Sequence, residues 1–283
     1  RDIFHDLMKF KVREILIMSN LYDAYSLERE GKFSDYILGV YYQLNLTSIP
    51  RITGVSSFEE AFEKLYSRHF DLIIIMVGVD RKTPMEIASR LKSLYRYIPI
   101  YLLLNNNQYV GYFQAEQRKT SLIDNVFVWN GDSRIFFAMV KQLEDFVNAD
   151  NDTRVGYSRI ILLVEDSAKY YSRYIPVLYH CVMEQTRRII EDVSTMDELY
   201  KVLRLRVRPK ILMASNYEEA LQIFDKYKDY FLCLITDVKF EKNSRFDEKA
   251  GFDLVRHVKS EIPDLPTIIQ SSDRSNEMMA KEL

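Results

Sequence analysis

The chain has 283 residues with 39 Lys and Arg against 41 Asp and Glu, a net charge of −2, and 47% hydrophobic residues. That length suits two ordinary domains with real cores. The balanced charge and the lack of a Lys/Arg cluster interleaved with aromatics exclude nucleic acid as the expected partner.

The first apolar run is "REILIMSNL" (13–21), a strand that ends on Ser19 and Asn20. A capping pattern, Ser56 with Glu59, opens a helix before the strand "DLIII", and "YIPIYLLL" and "NVFVWNG" supply two more strands. Apolar strands alternating with amphipathic helical stretches predict an α/β fold with a parallel sheet. "LIIIMVGV", the longest apolar run, is too short to cross a bilayer, so no membrane partner is expected. No signal peptide is visible, and the initial Arg reads as the sign of an upstream part cut away. "NADNDTRVGYS" (148–158) is polar, carries Gly and lacks periodicity, which reads as a linker, and the boundary is placed near residue 153.

After it the order repeats. "RIILLVEDS" (159–167) matches the first strand but ends on Glu165 and Asp166. The stretch "SNYEEALQIFDKYKDYFLCLI" matches "SSFEEAFEKLYSRHFDLIII", with Ser215 and Glu218 as its capping pair, and "DLPTIIQSS" matches "YIPIYLLL". The second copy carries two insertions. One, around 177–207, spaces Val182, Ile189, Met196 and Leu203 by seven. It reads either as a helical arm that pairs with a second chain or as a long first helix followed by a shorter one beginning at "STMDE" (194–198), with Pro176 kinking or starting a helix. "RLRVRPK" (204–210) is the most basic stretch and reads as a helix end, where cations suit the carbonyl pole. Cys181 and Cys233 lie in apolar segments without a CxxC spacing, as buried reduced thiols of a cytoplasmic protein do. The four His have no zinc-site spacing. Neither GxGxxG nor GxxxxGK occurs, so neither a dinucleotide-binding domain nor a P-loop enzyme is expected.

In an open parallel sheet, ligands bind beyond the carboxyl ends of the strands. Glu165 and Asp166 end the first strand of the second copy, and Asp237 ends "FLCLITDV", its central third strand. Three converging carboxylates repel one another and need a cation; hard oxygen donors with room for water suit Mg²⁺. With that charge neutralised, one Asp can attack a phosphoryl group. Taken singly, each acid also fits an ordinary cap at a strand-to-helix turn.

Together, the pair Glu165–Asp166, the strand-end Asp237 and "PTIIQSS" resemble the receiver domain of two-component response regulators over 159–283. The resemblance implies two doubly wound, flavodoxin-like α/β domains with parallel sheets. The domains are a receiver-like one at 1–150, a linker at 151–158, and a phosphoacceptor receiver at 159–283. It makes Asp237 the phosphoacceptor, Ser271 the hydroxyl that senses the phosphoryl group, and the main-chain carbonyl of Lys239 a fourth Mg²⁺ ligand beside Glu165, Asp166 and Asp237. Further implications are transfer from a sensor histidine kinase or a small phosphodonor, a switch rather than an enzyme, and an output module on a missing C-terminal part or another protein.

The loop "VKFEKNSRFDEKAG" departs from the family in length and charge, and the family's fifth-strand Lys is missing. The expectation is therefore a second receiver cut before its fifth strand. In the first copy Ser19–Asn20 replaces the acids, Met76–Val77 the acceptor, Leu104 or Asn105 the hydroxyl, and Trp129 or Asn130 the Lys. That copy is expected to be a pseudo-receiver that docks or dimerises. Rival expectations are an interaction scaffold that has lost switching, and a regulatory segment similar to those fused to phosphoenolpyruvate synthase or pyruvate phosphate dikinase-like enzymes.

Overall fold

The computed structural model describes residues 3–19, 35–41, 49–191, 204–273 and 275–281. The chain forms two compact units, one of residues 11–140 with 168–180, the other of 1–10 with 141–167 and 181–283. Among the described residues no helix is long and apolar enough to cross a membrane.

The first unit is built on five parallel strands: β1 (Glu14–Met18), β2 (Arg51–Val55), β3 (Leu72–Val77), β4 (Ile100–Leu104) and β5 (Asn125–Val128), in the order β2-β1-β3-β4-β5. β3 (LIIIMV) and β4 (IYLLL) are buried at every position, as strands covered on both faces must be. The order reverses between β1 and β3, the switch point of a doubly wound sheet. The edge strand β5 does not leave its backbone bare. Ser172 Oγ accepts from the Val128 N–H at 3.0 Å, and the Tyr171 hydroxyl donates to the Val126 carbonyl and to Asn125 Oδ1. Both residues lie in the first turns of the helix Ala168–Glu191, and a covered edge resists pairing with another chain.

The second unit holds β6 (Ile160–Val164), β7 (Lys210–Ala214), β8 (Phe231–Asp237) and β11 (Thr267–Gln270), all parallel, in the order β11-β8-β6-β7. This is the arrangement of β4, β3, β1 and β2 repeated. Its core gathers Leu162, Val164, Leu212, Phe224, Leu234, Phe240 and Leu254. The long charged loop after β8 is a hairpin of β9 (Phe240–Lys242) and β10 (Arg245–Asp247). Asn243 and Ser244 turn it with φ of 53° and 58°, the pair of positive φ values that matches the twist of a two-residue hairpin.

An α/β architecture with parallel sheets of five and four strands is thus in place, but several local expectations change. The stretch 148–156 is no linker: it forms the last turns of the helix Arg134–Gly156. Its polar residues Asn148, Asp152 and Thr153 are buried because they have partners. Asp152 pairs with Lys210 at 2.9 Å and accepts from the Met8 N–H at 3.0 Å, and Asn148 accepts from Phe10 N–H and donates to Phe10 O. The basic stretch 204–210 is likewise more than a helix end. Arg208 grips Asp145 through two bonds of 2.6 and 3.0 Å, with both side chains buried. The helix Ala168–Glu191 carries Pro176 inside it and buries Ile175, Tyr179, Met183 and Ile190, whereas Ile189 is exposed, so the seven-residue spacing does not mark its packed face. Met196, Leu203 and the start at 194–198 lie outside the described residues. Cys181 is exposed rather than buried and Cys233 is half-buried.

The helix caps sit one residue later than the spacing predicts. Ser57 and Asn216 are the N-caps, accepting from the N–H groups of Glu60 and Glu219, and these glutamates return bonds to the N–H groups of Ser56 and Ser215. The shift is the same in both copies.

Candidate acidic site of the second unit

Strand register sets the site. Val164 of β6 lies opposite Thr236 of β8, and Gln270 of β11 lies opposite Asp237. Glu165 and Asp166 therefore leave β6 beside the end of β8, at the carboxyl edge of the sheet. Glu165 is held there by its own N–H, which donates to Ala214 O at 3.0 Å, and its Oε1 accepts from the Ser167 N–H at 3.0 Å. Asp237 Oδ2 accepts from the Lys239 N–H at 3.3 Å.

Glu165 feels the other two carboxylates. Glu165 is 4% exposed, and burial, with the charges of Asp237 and Asp166 beside it, pushes its carboxyl up to about 8. Burial also raises Asp237, against the pull of the Val238 and Lys239 N–H groups. Burial, more than the neighbouring carboxylates, thus favours the protonated form of Glu165.

The helix Ala250–Glu261 meets the end of β8 closely. The Gly251 N–H donates to Val238 O at 3.0 Å, and a Cβ at Gly251 would lie 2.0 Å from Asp237 O. Lys242 of the hairpin pairs with Asp253 at 2.5 Å. Ser271 follows Gln270 at the end of β11 and is exposed. Its hydroxyl is engaged within its own loop, accepting from Asp273 N–H at 3.0 Å and Asn276 Nδ2 at 2.8 Å.

Of the acids expected from sequence, Glu165 lies within electrostatic reach of Asp166 and Asp237, and the Lys239 N–H donates to Asp237. Ser271 is placed at the neighbouring strand end with its hydroxyl turned to residues 273–276. The donor set is all oxygen, the chemistry that suits a hard cation. Among the described residues no three His, Cys, Asp or Glu side chains form a group that could hold a metal ion as they stand. Glu165, bonded to its own backbone two residues on, would have to turn. Sequence reasoning missed Gly251, whose role rests on the approach of a helix to a strand end, and Thr236, whose hydroxyl donates to Asp237 O at 2.8 Å.

The same registers show what the first unit carries at these points. Met18 pairs with Ile75 as Val164 pairs with Thr236, so Ser19 stands for Glu165 and Met76 for Asp237. Met76 pairs with Leu103 as Asp237 pairs with Gln270, which puts Leu104 in the place of Ser271.

Compared with models of known protein families the chain matches none, and no curated protein matches it.

Proposed function

We propose that the second unit is a phosphorylation switch in which Asp237 is the phosphoacceptor. The observation that supports this reading is the placement, by strand register, of Glu165 and Asp166 after the end of β6 beside Asp237 at the end of β8. A carboxylate oxygen of Asp237 attacks phosphorus; the new O–P bond forms as the bond from phosphorus to the donor breaks, and the donor leaves with that electron pair. From acetyl phosphate the departing group is acetate; from a sensor kinase it is the histidine imidazole. Mg²⁺ held by Glu165, Asp166, Asp237 and the Lys239 carbonyl would neutralise charge on the phosphoryl oxygens. Glu165 would give up its proton to serve there, and Ser271 would leave its loop partners to reach the acyl phosphate. The signal then passes to a partner or a fused output module, with the first unit, lacking an acid at Met76, unphosphorylated. On this reading the chain is a cytoplasmic switch rather than an enzyme.

Intact mass after treatment with acetyl phosphate and Mg²⁺, for the parent and Asp237→Ala, tests it. One added phosphoryl group in the parent and none in the variant is expected. No addition to a folded parent overturns the proposal.

A second reading, an interaction scaffold that does not switch, is favoured by the engaged Ser271 hydroxyl and by the hairpin after Asp237, which exposes Phe246. It takes the place of the first if the parent stays unmodified.

A further inference from the structure

The first unit has a cavity of about 740 Å³ at the switch point of its sheet, over the strand ends where the second unit carries acids. Its floor is apolar: Met18 of β1 with Ile75 and Met76 of β3. Ser19 and Asn105, at the ends of β1 and β4, line it as well. Arg90 stands at the rim, its guanidinium 3.5 Å from the Phe58 ring centre. The size, the apolar floor and the few polar groups are those of a small-molecule site, and the switch point is where doubly wound sheets place one.

The chemistry of the ligand follows from what borders the cavity. Two helix N-termini, of Phe58–Ser67 and Lys82–Leu94, open beside it. Such ends attract phosphates when their N–H groups are free. At the second these groups are taken by a carboxylate of the chain itself, and at the first the Ser57 hydroxyl takes the Glu60 N–H at 3.1 Å while the Glu60 carboxylate turns back to the residue before the cap. Glu60 accepts from the Ser56 N–H at 2.7 Å, and Asp80 accepts from the Lys82 N–H at 2.9 Å and the Thr83 N–H at 3.3 Å. These bonds hold both carboxyls below the usual carboxylate range, so the charges are permanent at neutral pH. Among the described residues that line the cavity, Glu59 and Glu86 join Asp80, against Arg90, which is stacked on Phe58. A phosphate entering this cavity meets the occupied N–H groups of Glu60, Lys82 and Thr83 and repelling charge.

We infer that the first unit binds a mostly apolar, uncharged small organic molecule, seated on Met18, Ile75 and Met76. Where the acids of the second unit are replaced, the strand ends become the floor of a ligand site. The inference is independent of the phosphorylation of Asp237.

The test titrates the whole chain with Nile red, an uncharged planar fluorophore, following its emission. Saturable binding of one dye per chain is expected, weakened about tenfold by Ile87→Trp, which fills the cavity from its wall. Glu86→Trp, an exposed position of the same wall, serves if the first variant does not fold. Millimolar inorganic phosphate is expected to leave binding unchanged. Lack of saturable binding, binding equally strong in the folded cavity-filling variant, or displacement of the dye by phosphate would each overturn the inference.

Discussion

Gly251 and Asp237 touch backbone to backbone: a single methyl at Gly251 would stand 2.0 Å from the carbonyl oxygen of Asp237, and 2.9 Å from Val238 Cα. No flexible side chain lies between them to yield. Gly251→Ala must push the helix off the strand end or bend the strand, and overpacking of this kind costs about 1–3 kcal/mol. Chemical unfolding is expected to show that loss. Gly111, where an added Cβ meets nothing within 4 Å, is the control: Gly111→Ala in the helix Val110–Lys119 is expected to be neutral or slightly stabilising.

Glu165 gives the second unit a pH dependence of definite sign. Its carboxyl rises from 4.5 unfolded to about 8 folded, so between those values the folded chain keeps a proton that the unfolded chain has lost. Stability then falls as pH rises from 4.5 to 8, by a few kcal/mol at about 1.4 kcal/mol per unit. Glu165→Gln is expected to flatten that slope in thermal unfolding followed across pH. If the acids hold Mg²⁺, the cation raises the melting temperature of the parent more at pH 8 than at pH 5; equal shifts at both would sink the link between cation and Glu165.

The pair of Lys210 and Asp152, both fully buried, acts in the opposite direction. Burial, with Arg208 beside it, brings Lys210 from 10.5 down to about 8. Between 8 and 10.5 the unfolded chain binds the extra proton, so this group makes stability rise with pH there. Lys210→Met strands a buried carboxylate and is expected to cost about 3–5 kcal/mol, while adding Asp152→Asn restores much of it. Urea titrations of the two variants measure the difference.

Tyr171 and Ser172 carry the edge of the five-stranded sheet. Tyr171→Phe and Ser172→Ala each leave a backbone group of β5 unpaired, at about 1–3 kcal/mol when buried. Trp129, the chain's single tryptophan, follows β5 and stacks on Phe136 with ring centres 4.9 Å apart. Its emission is therefore the readout: its unfolding midpoint is expected to fall in both variants and to stay put for a distant exposed change such as Tyr66→Ser.

The strands were legible because buried parallel strands are written as unbroken apolar runs, and the acids were legible because they end such runs. The caps were found one residue early, since Glu59 and Glu60 offer the same chemistry and only the backbone decides between them. Residues 148–158 misled for a physical reason. A buried Asp152 looks like a surface residue until Lys210, 58 positions on, is known to face it. Pairings over that separation leave no local periodicity. Ser271 was placed correctly at its strand end, but its bonds to Asp273 and Asn276 depend on a turn that residue types alone do not specify.

The allotment of chain between the two units has a practical side. Residues 1–10 and 141–150 precede the repeat boundary yet fold with the second copy, and 168–180 follow it yet fold with the first. Cutting the gene at residue 153 would strip the first copy of Tyr171 and Ser172 and expose β5 to its neighbours in solution. The second copy would lose Asp145, Asp152 and the segment around Met8, and Arg208 and Lys210 would be buried without their acids. The copies resemble a duplication in sequence, but neither half survives as a cassette; any graft or swap has to follow the contacts and not the repeat.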